Sequence, residues 1–277
     1  LGDVYKRQRL KRIYIILLSA VLIIGGSGCE LNNSEIVKEE QAAHDEWLRW
    51  RKEFLAEQEL PTEYSQLSDS QKTSVKAIYE MIMYLQDKYG IEFEYTGYVR
   101  PQILEDEYLT AIPKGGNEKT DTVTVTRQDD GTLTDDYPNI AVRPFYEQMI
   151  TDYIEDYFGS DKVRVFSTVT KTSIEDLNNI SAEKMKGDVY GNSVVFISND
   201  ICTENEIKEF ASVFVEWTKE NGLVNYTQLM LLYNPDIEEL NPNKYSDYYS
   251  KNNIKVRLTC HVYSDGRTTI SNDKLYS

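Results

Sequence analysis

Histidine and cysteine, which often serve as base and nucleophile, are few in this sequence. The chain has two histidines, His44 and His261, and three cysteines. Nucleophilic catalysis by Ser or Cys normally needs a base within hydrogen-bond reach. Cys260 and His261 are neighbours in a segment of strand character, so their side chains would point to opposite faces. A pair of Cys202 with His261 stays geometrically open, but the pattern assigns no catalytic residue.

The spacing of the His, Cys and carboxylate side chains does not indicate a metal site either. No CxxC or HExxH motif is present, which excludes the usual structural zinc sites. Four carboxylates cluster around a turn, namely Asp129, Asp130, Asp135 and Asp136. Paired Asp residues beside Gly are ordinary turn chemistry, and the calcium loop of an EF-hand is absent. We therefore predict no metal site and no cofactor.

A cysteine follows the apolar run near the start of the chain. Arg9, Lys11 and Arg12 precede twelve uncharged residues, 13–24, and these are followed by GGSG and Cys29. As a helix, twelve residues rise only about 18 Å, against a hydrocarbon core of about 30 Å. The basic, apolar, small-residue order is typical of a secretory signal rather than of a membrane span.

The segment resembles the signal of bacterial lipoproteins, in which small residues precede a cysteine that is acylated and becomes the mature N-terminus. Ser27, Gly28 and Cys29 fit that pattern, whereas Gly26 stands where the family usually has Leu. The resemblance implies lipidation (palmitate or a similar acyl chain) at Cys29 and a location on the cell membrane, facing outside the cytoplasm. An ordinary signal peptidase site at Gly26–Gly28 is the alternative. Residues 1–8, LGDVYKRQ, resemble a translated sequencing adapter and are left out of the fold prediction.

The composition excludes nucleic acid as a partner. Loss of residues 1–29 removes five basic residues and one acidic residue, which changes the formal charge from −16 to −20. Such a chain is repelled by phosphate backbones.

The remaining pattern predicts an α+β fold with a largely antiparallel sheet and packed amphipathic helices. Residues 30–67 form a tether and a charged helix, either a stalk or a loosely packed element, and residues 68–277 form the extracytoplasmic domain, with a subdomain junction near residue 160. Capping-box spacing marks helix starts at Ser68 and Thr203, and a short helix after Thr172. A further helix is expected over 144–158. Segments such as DKYGIEFEYTGY are similar to those of small uncharacterised lipoproteins of Gram-positive bacteria.

Two further sets of residues are candidates for function or stability. The long polar connection 234–253 carries Tyr245, Tyr248 and Tyr249, a composition like that of a paratope, which makes it a candidate binding loop. Cys202 and Cys260 could form a disulfide outside the cytoplasm, or could remain buried free thiols.

Three functions stay open for the extracytoplasmic domain. The first, which we favour, is a lipid-anchored module that binds another protein. The second is a lipoprotein that binds a small solute or a cell-wall fragment. The third is a hydrolase that uses carboxylates, whose defining separation in space cannot be read from a sequence.

Overall fold

A computed structural model describes residues 33–103, 105–233, 237, 240–243, 245, 248 and 253–272. The helices are α1 (Asn33–Glu57), α2 (Asp69–Tyr89), α3 (Tyr137–Phe158), α4 (Ala182–Met185) and α5 (Glu204–Glu220), with a 3-10 helix at Tyr64–Gln66. The strands are β1 (Phe93–Val99), β2 (Glu107–Pro113), β3 (Val123–Arg127), β4 (Leu133–Asp135), β5 (Val163–Thr172), β6 (Val189–Ser198), β7 (Val224–Leu232), β8 (Ile254–Val262) and β9 (Thr268–Asn272). These helices and mostly antiparallel strands confirm the predicted α+β class.

The chain divides into two compact units. The first comprises the described residues up to Gly115 together with Thr124–Thr134, and the second comprises Gly116–Val123 together with the described residues from Asp135 onward. The chain therefore passes between units in the region 115–135. Residue 160, where the sequence placed a junction, lies within the second unit.

The first unit contains a four-stranded sheet in the order β1-β2-β3-β4. Its core helix, α2, begins at the predicted capping box: the Ser68 hydroxyl accepts from Gln71 N–H at 3.3 Å, and the Gln71 side chain accepts from Ser68 N–H at 2.9 Å. Gly90 ends the helix with φ 72°, a left-handed conformation that glycine adopts without steric cost. The buried stripe of α2, including Ile78, Ile82 and Leu85, belongs to the hydrophobic core.

The second unit is built on a five-stranded sheet in the order β5-β6-β7-β8-β9. Neighbouring strands are antiparallel except β6 and β7, which are parallel and connected through α5. Helix α3 packs on β5, and α5 packs on β7 and β8. The alternating burial of β8 shows that one face of the sheet is fully covered and the other only in part.

A row of small polar side chains crosses the covered face of this sheet. Register pairs join Ser167, Ser193, Thr227 and Cys260 on successive strands. The Ser167 and Ser193 hydroxyls are 2.9 Å apart, and Thr227 donates to the side chain of Asn225. Because each of these buried hydroxyls has a partner, the polar row fixes the register of the strands without leaving an unsatisfied group.

Two predicted helix starts were wrong. Helix α3 begins at Tyr137, seven residues before Pro144, which lies inside the helix. The capping-box spacing at Thr172 does not start a helix, because β5 continues to Thr172 and its hydroxyl accepts from Ile174 N–H in a local turn at 3.2 Å. The short helix α4 begins nine residues later, with Ser181 as its N-cap.

Candidate functional site

Helix α1 places a mixed aromatic and acidic stripe on one side. Residues 46, 49, 50, 53, 54 and 57 are related by spacings of three and four, so they lie on one side of the helix. Trp50 stacks on Phe54 with ring centroids 4.8 Å apart. Phe54 is buried, whereas the Glu side chains at 46, 53 and 57 are exposed. The helix therefore presents an apolar strip bordered by carboxylates.

Contacts with α2 and β1 hold this helix in the first unit. The ring centroids of Trp50 and Tyr79 of α2 are 5.0 Å apart. Phe54 contacts Tyr95 of β1 edge-on, with ring centroids 5.2 Å apart. Leu55 is fully buried. Through these contacts, the C-terminal half of α1 packs on α2 and β1 within the first unit.

A groove of about 890 Å³ lies beside this aromatic contact, within the first unit. Helix α1 forms one wall, Ile82, Met83 and Gln86 of α2 form the floor, and residues 90–95 with Lys114 form the other wall. Ile91 keeps 39% of its surface exposed. The lining of the groove therefore combines charged side chains with a few partly exposed apolar ones.

The rim of the groove is negatively charged. The carboxylates are Glu46, Glu53, Glu57, Glu92 and Glu94, and the cations are Arg49 and Lys114, which leaves a net formal charge of −3. Lys114 forms an ion pair with Glu92 at 2.5 Å, and this contact raises the pKa of the lysine. Carboxylates on both walls make the groove complementary to a positively charged ligand.

The phenols near the groove stay protonated at neutral pH. Burial, and then the nearby carboxylates Glu46 and Asp87, raise the pKa of Tyr79 to about 12. Burial also raises the pKa of Tyr95. Neither phenol can act as a base under physiological conditions.

The predicted tyrosine-rich loop lies in the second unit. Tyr245 stacks on Phe166 with ring centroids 4.7 Å apart and meets Phe196 edge-on at 6.3 Å. Tyr248 packs on the same hydrophobic cluster. Tyr249 lies outside the described residues. Because the two described tyrosines cover a core, their removal should lower stability, and a binding role for the loop stays a prediction.

The two cysteines predicted as alternatives, bridged or free, are both free thiols. Burial, followed by the charge of Glu206, raises the pKa of Cys202 to about 12, and burial alone raises that of Cys260 to about 12. Such thiols are poor nucleophiles at neutral pH. The predicted capping box of Thr203 and Glu206 is present at the start of α5, and Cys202 directly precedes it. Cys202 is buried in the same core cluster as Ile207.

The carboxylates near residue 130 act in turn formation. The Asp130 side chain accepts hydrogen bonds from Thr132 N–H at 2.9 Å and from its hydroxyl at 2.7 Å, which lowers the pKa of Asp130. Asp135 accepts from Tyr137 N–H at 3.0 Å. Across the described part of the chain, no three His, Cys, Asp or Glu side chains are grouped so that they could hold a metal ion.

The predicted lipidation site, Cys29, lies outside the described residues. Among the helices that the structure describes, none has the length and apolar character needed to cross a membrane. Sequence reasoning missed the groove, because its walls come from residues 46–58, 82–95 and 114. The only local signal was the helical spacing of Trp50 and Phe54 among glutamates.

Comparisons with known proteins add little to these observations. No family model matches the chain, and no curated protein matches it. Among solved structures, it is similar to the crystal structure of a DUF5037 family protein from Ruminococcus gnavus ATCC 29149, with 15% identity and a TM-score of 0.38 over 67% of this chain and 90% of that chain. At this level of likeness, only the chain's own residues bear on its function.

Proposed function

We propose that this protein is an acyl-anchored binding module on the outer side of the cell membrane, and that it binds another protein through the groove of the first unit. The observation that carries the proposal is the groove itself, which places partly exposed apolar side chains between two walls that bear exposed carboxylates. Binding sites for proteins commonly combine an apolar centre with a polar, solvent-accessible rim.

The position of the groove relative to the proposed anchor supports this function. Helix α1 begins four residues after Cys29. At about 1.5 Å per residue, the groove-lining stretch 46–57 lies roughly 20–36 Å along the helix from its first residue. An acyl group on Cys29 would fix the start of the chain in the bilayer, since each buried methylene contributes about 0.8 kcal/mol. The proposed anchor would then hold the groove on the outer side of the membrane.

A small solute or cell-wall fragment is the second candidate ligand. The volume of about 890 Å³ falls within the range of roughly 300–1,000 Å³ that is typical of small-molecule sites. Aromatic side chains at its edge, such as Trp50, could stack on a flat ligand. We favour a protein because the rim is exposed along both walls and the groove is open.

Two measurements test the proposal. Cells that express the protein should incorporate a clickable fatty acid into the wild type and not into Cys29→Ser, and the wild type should be sensitive to added protease on intact cells. A photo-cross-linking amino acid at position 49, in the groove wall, should give an adduct with another protein, whereas one at exposed position 208 on α5 should not. Lack of acylation would refute the anchor, and the absence of a protein adduct from position 49 would refute protein binding through the groove, whatever position 208 gives.

A further inference from the structure

We propose that the partner of the groove is a positively charged segment with apolar side chains, supplied by another protein. This inference rests on the proposed function and specifies the chemistry of the ligand. It follows from the distribution of charge and apolar surface around the groove.

The carboxylates flank the apolar floor from two directions. Glu53 and Glu57 lie one helical turn apart on α1 and are both exposed, while Glu92 and Glu94 lie on the opposite wall, also exposed. A segment that enters between these walls must have groups that match negative charge on both sides. Lys and Arg side chains are long enough to reach carboxylates at a rim while their neighbours in the segment lie lower in the groove.

The floor requires apolar side chains in the same segment. Ile82 and Phe54 are 2% and 5% exposed and lie packed beneath the groove, while the half-buried side chains of Met83 and Trp50 leave part of their apolar surface accessible in it. Ile91 adds a partly exposed aliphatic surface at the wall. A purely cationic ligand would leave this surface in contact with water, whereas apolar side chains would bury it at about 25 cal/mol per Å². The occupant should therefore alternate or combine basic and apolar residues.

The charge of the whole chain makes the match selective. With a formal net charge of −16, the protein repels acidic partners in general and attracts basic ones. Electrostatic attraction of this kind raises the association rate and weakens as salt is added. Binding that depends on the groove must nevertheless respond more to groove carboxylates than to carboxylates elsewhere.

The experiment uses the full chain in cells, with the photo-cross-linker at position 49. The double variant Glu53→Lys/Glu57→Lys should lower the adduct yield at least tenfold. The control Glu209→Lys/Glu216→Lys changes the net charge by the same amount at exposed positions of α5 and should lower it less than twofold. Circular dichroism of both purified variants checks that each is folded.

Mass spectrometry of the cross-linked peptide then identifies the bound segment. A segment with several Lys or Arg residues and interspersed apolar side chains is the expected result. An acidic or uncharged segment, a second copy of this chain, or equal losses in the two double variants would overturn the inference while leaving protein binding intact. The lack of any protein adduct from position 49 would instead remove the proposed function itself.

Discussion

Phe196 of the second unit is completely buried beneath the connection that follows β7, whereas Ile91 and the glutamates of the groove remain exposed in the first unit. Both surfaces contain stacked aromatic side chains, and those beside the groove are bordered by carboxylates. In the second unit, Ile237, Leu240 and Tyr245 from the long connection cover the outer face of the sheet at one end. The groove has no comparable cover among the described residues. The chain thus uses its own segment to complete one aromatic surface and leaves the other accessible to a ligand.

Hydrogen bonds from another loop of the second unit also hold the connection that covers this surface. Asn117 donates to the Asn243 side chain at 3.2 Å, and the Lys119 ammonium donates to the Asn243 carbonyl at 3.4 Å. Asp121 holds this loop by accepting from Asn117 N–H at 2.8 Å. The cover is therefore a part of the fold, and substitutions in it should act mainly on stability, whereas substitutions in the groove should act mainly on binding.

The largest expected effect is on the covered surface. Phe196→Ala should lower the free energy of unfolding by about 3–5 kcal/mol, because it removes a fully buried ring and leaves a cavity. Phe145→Ala is the matched control: Phe145 is 47% exposed on α3, and its loss should cost less than about 1 kcal/mol. Urea unfolding followed by fluorescence measures both. Equal effects of the two substitutions would contradict the difference between covered and exposed aromatic surfaces.

The second-largest loss of stability is expected in the loop around Asp121, which holds the connection that follows β7. Burial raises the pKa of Asp121, but hydrogen bonds from Asn117 N–H, Arg143 and Thr120 outweigh burial and bring the pKa below its usual range. Asp121→Asn should cost about 1–3 kcal/mol at pH 7, since charge-assisted hydrogen bonds are lost.

The loss of stability caused by Asp121→Asn should depend on pH. A carboxyl whose pKa is depressed in the folded state contributes its stability above the unfolded pKa of about 3.9, and that contribution is lost as the pH falls through the folded value. The difference in unfolding free energy between wild type and Asp121→Asn should therefore be constant from pH 7 to about 5 and should shrink below about pH 4. A difference that stays constant down to pH 3 would show that the charge of Asp121 does not hold the loop.

A smaller loss is expected for the predicted binding loop. Tyr245→Ala should lower the free energy of unfolding by about 1–2 kcal/mol, because the ring is half-buried and stacks on Phe166. Tyr226→Thr keeps a residue suited to a strand at a position that is 39% exposed, and it should change stability by less than about 0.5 kcal/mol. Thermal melts of the two variants compare them. If Tyr245→Ala melts like the wild type, then the tyrosine is available for binding after all.

Local signals in the sequence predicted the parts of this fold that depend on neighbours in the chain. The capping boxes at Ser68 and Thr203 each need only a residue three positions away, and both start helices as predicted. Thr172 has the same spacing and fails, because the ladder between β5 and β6 extends to Thr172, which pairs with Val189. Pairing with a distant strand outweighs a local preference, and the sequence alone does not reveal that competition.

The groove could not be predicted for a related reason. Its two walls are separated by more than thirty residues, from Glu57 to Glu92, and depend on how α1 packs against Tyr79 and Tyr95. The spacing of Trp50 and Phe54 predicts a helix with an aromatic side, but the burial of one ring and the partial exposure of the other arise only from tertiary contacts. The parallel pairing of β6 and β7, whose strands flank α5, is equally non-local.

The smallest effect on stability should accompany a clear effect on binding. Ile91→Thr keeps a β-branched residue at a wall of the groove that is 39% exposed, so the free energy of unfolding should change by less than about 0.5 kcal/mol. Loss of one apolar group from the contact should lower the cross-linking yield from position 49 roughly threefold to tenfold. Ile270→Thr makes the same change at a 43% exposed position of β9 in the second unit and should leave the yield unchanged. Because the two substitutions are chemically identical and the side chains are similarly exposed, a difference in yield can only come from where each isoleucine lies. Equal yields would mean that the groove wall does not contact the partner, and the accessible surface of the first unit would then need another explanation.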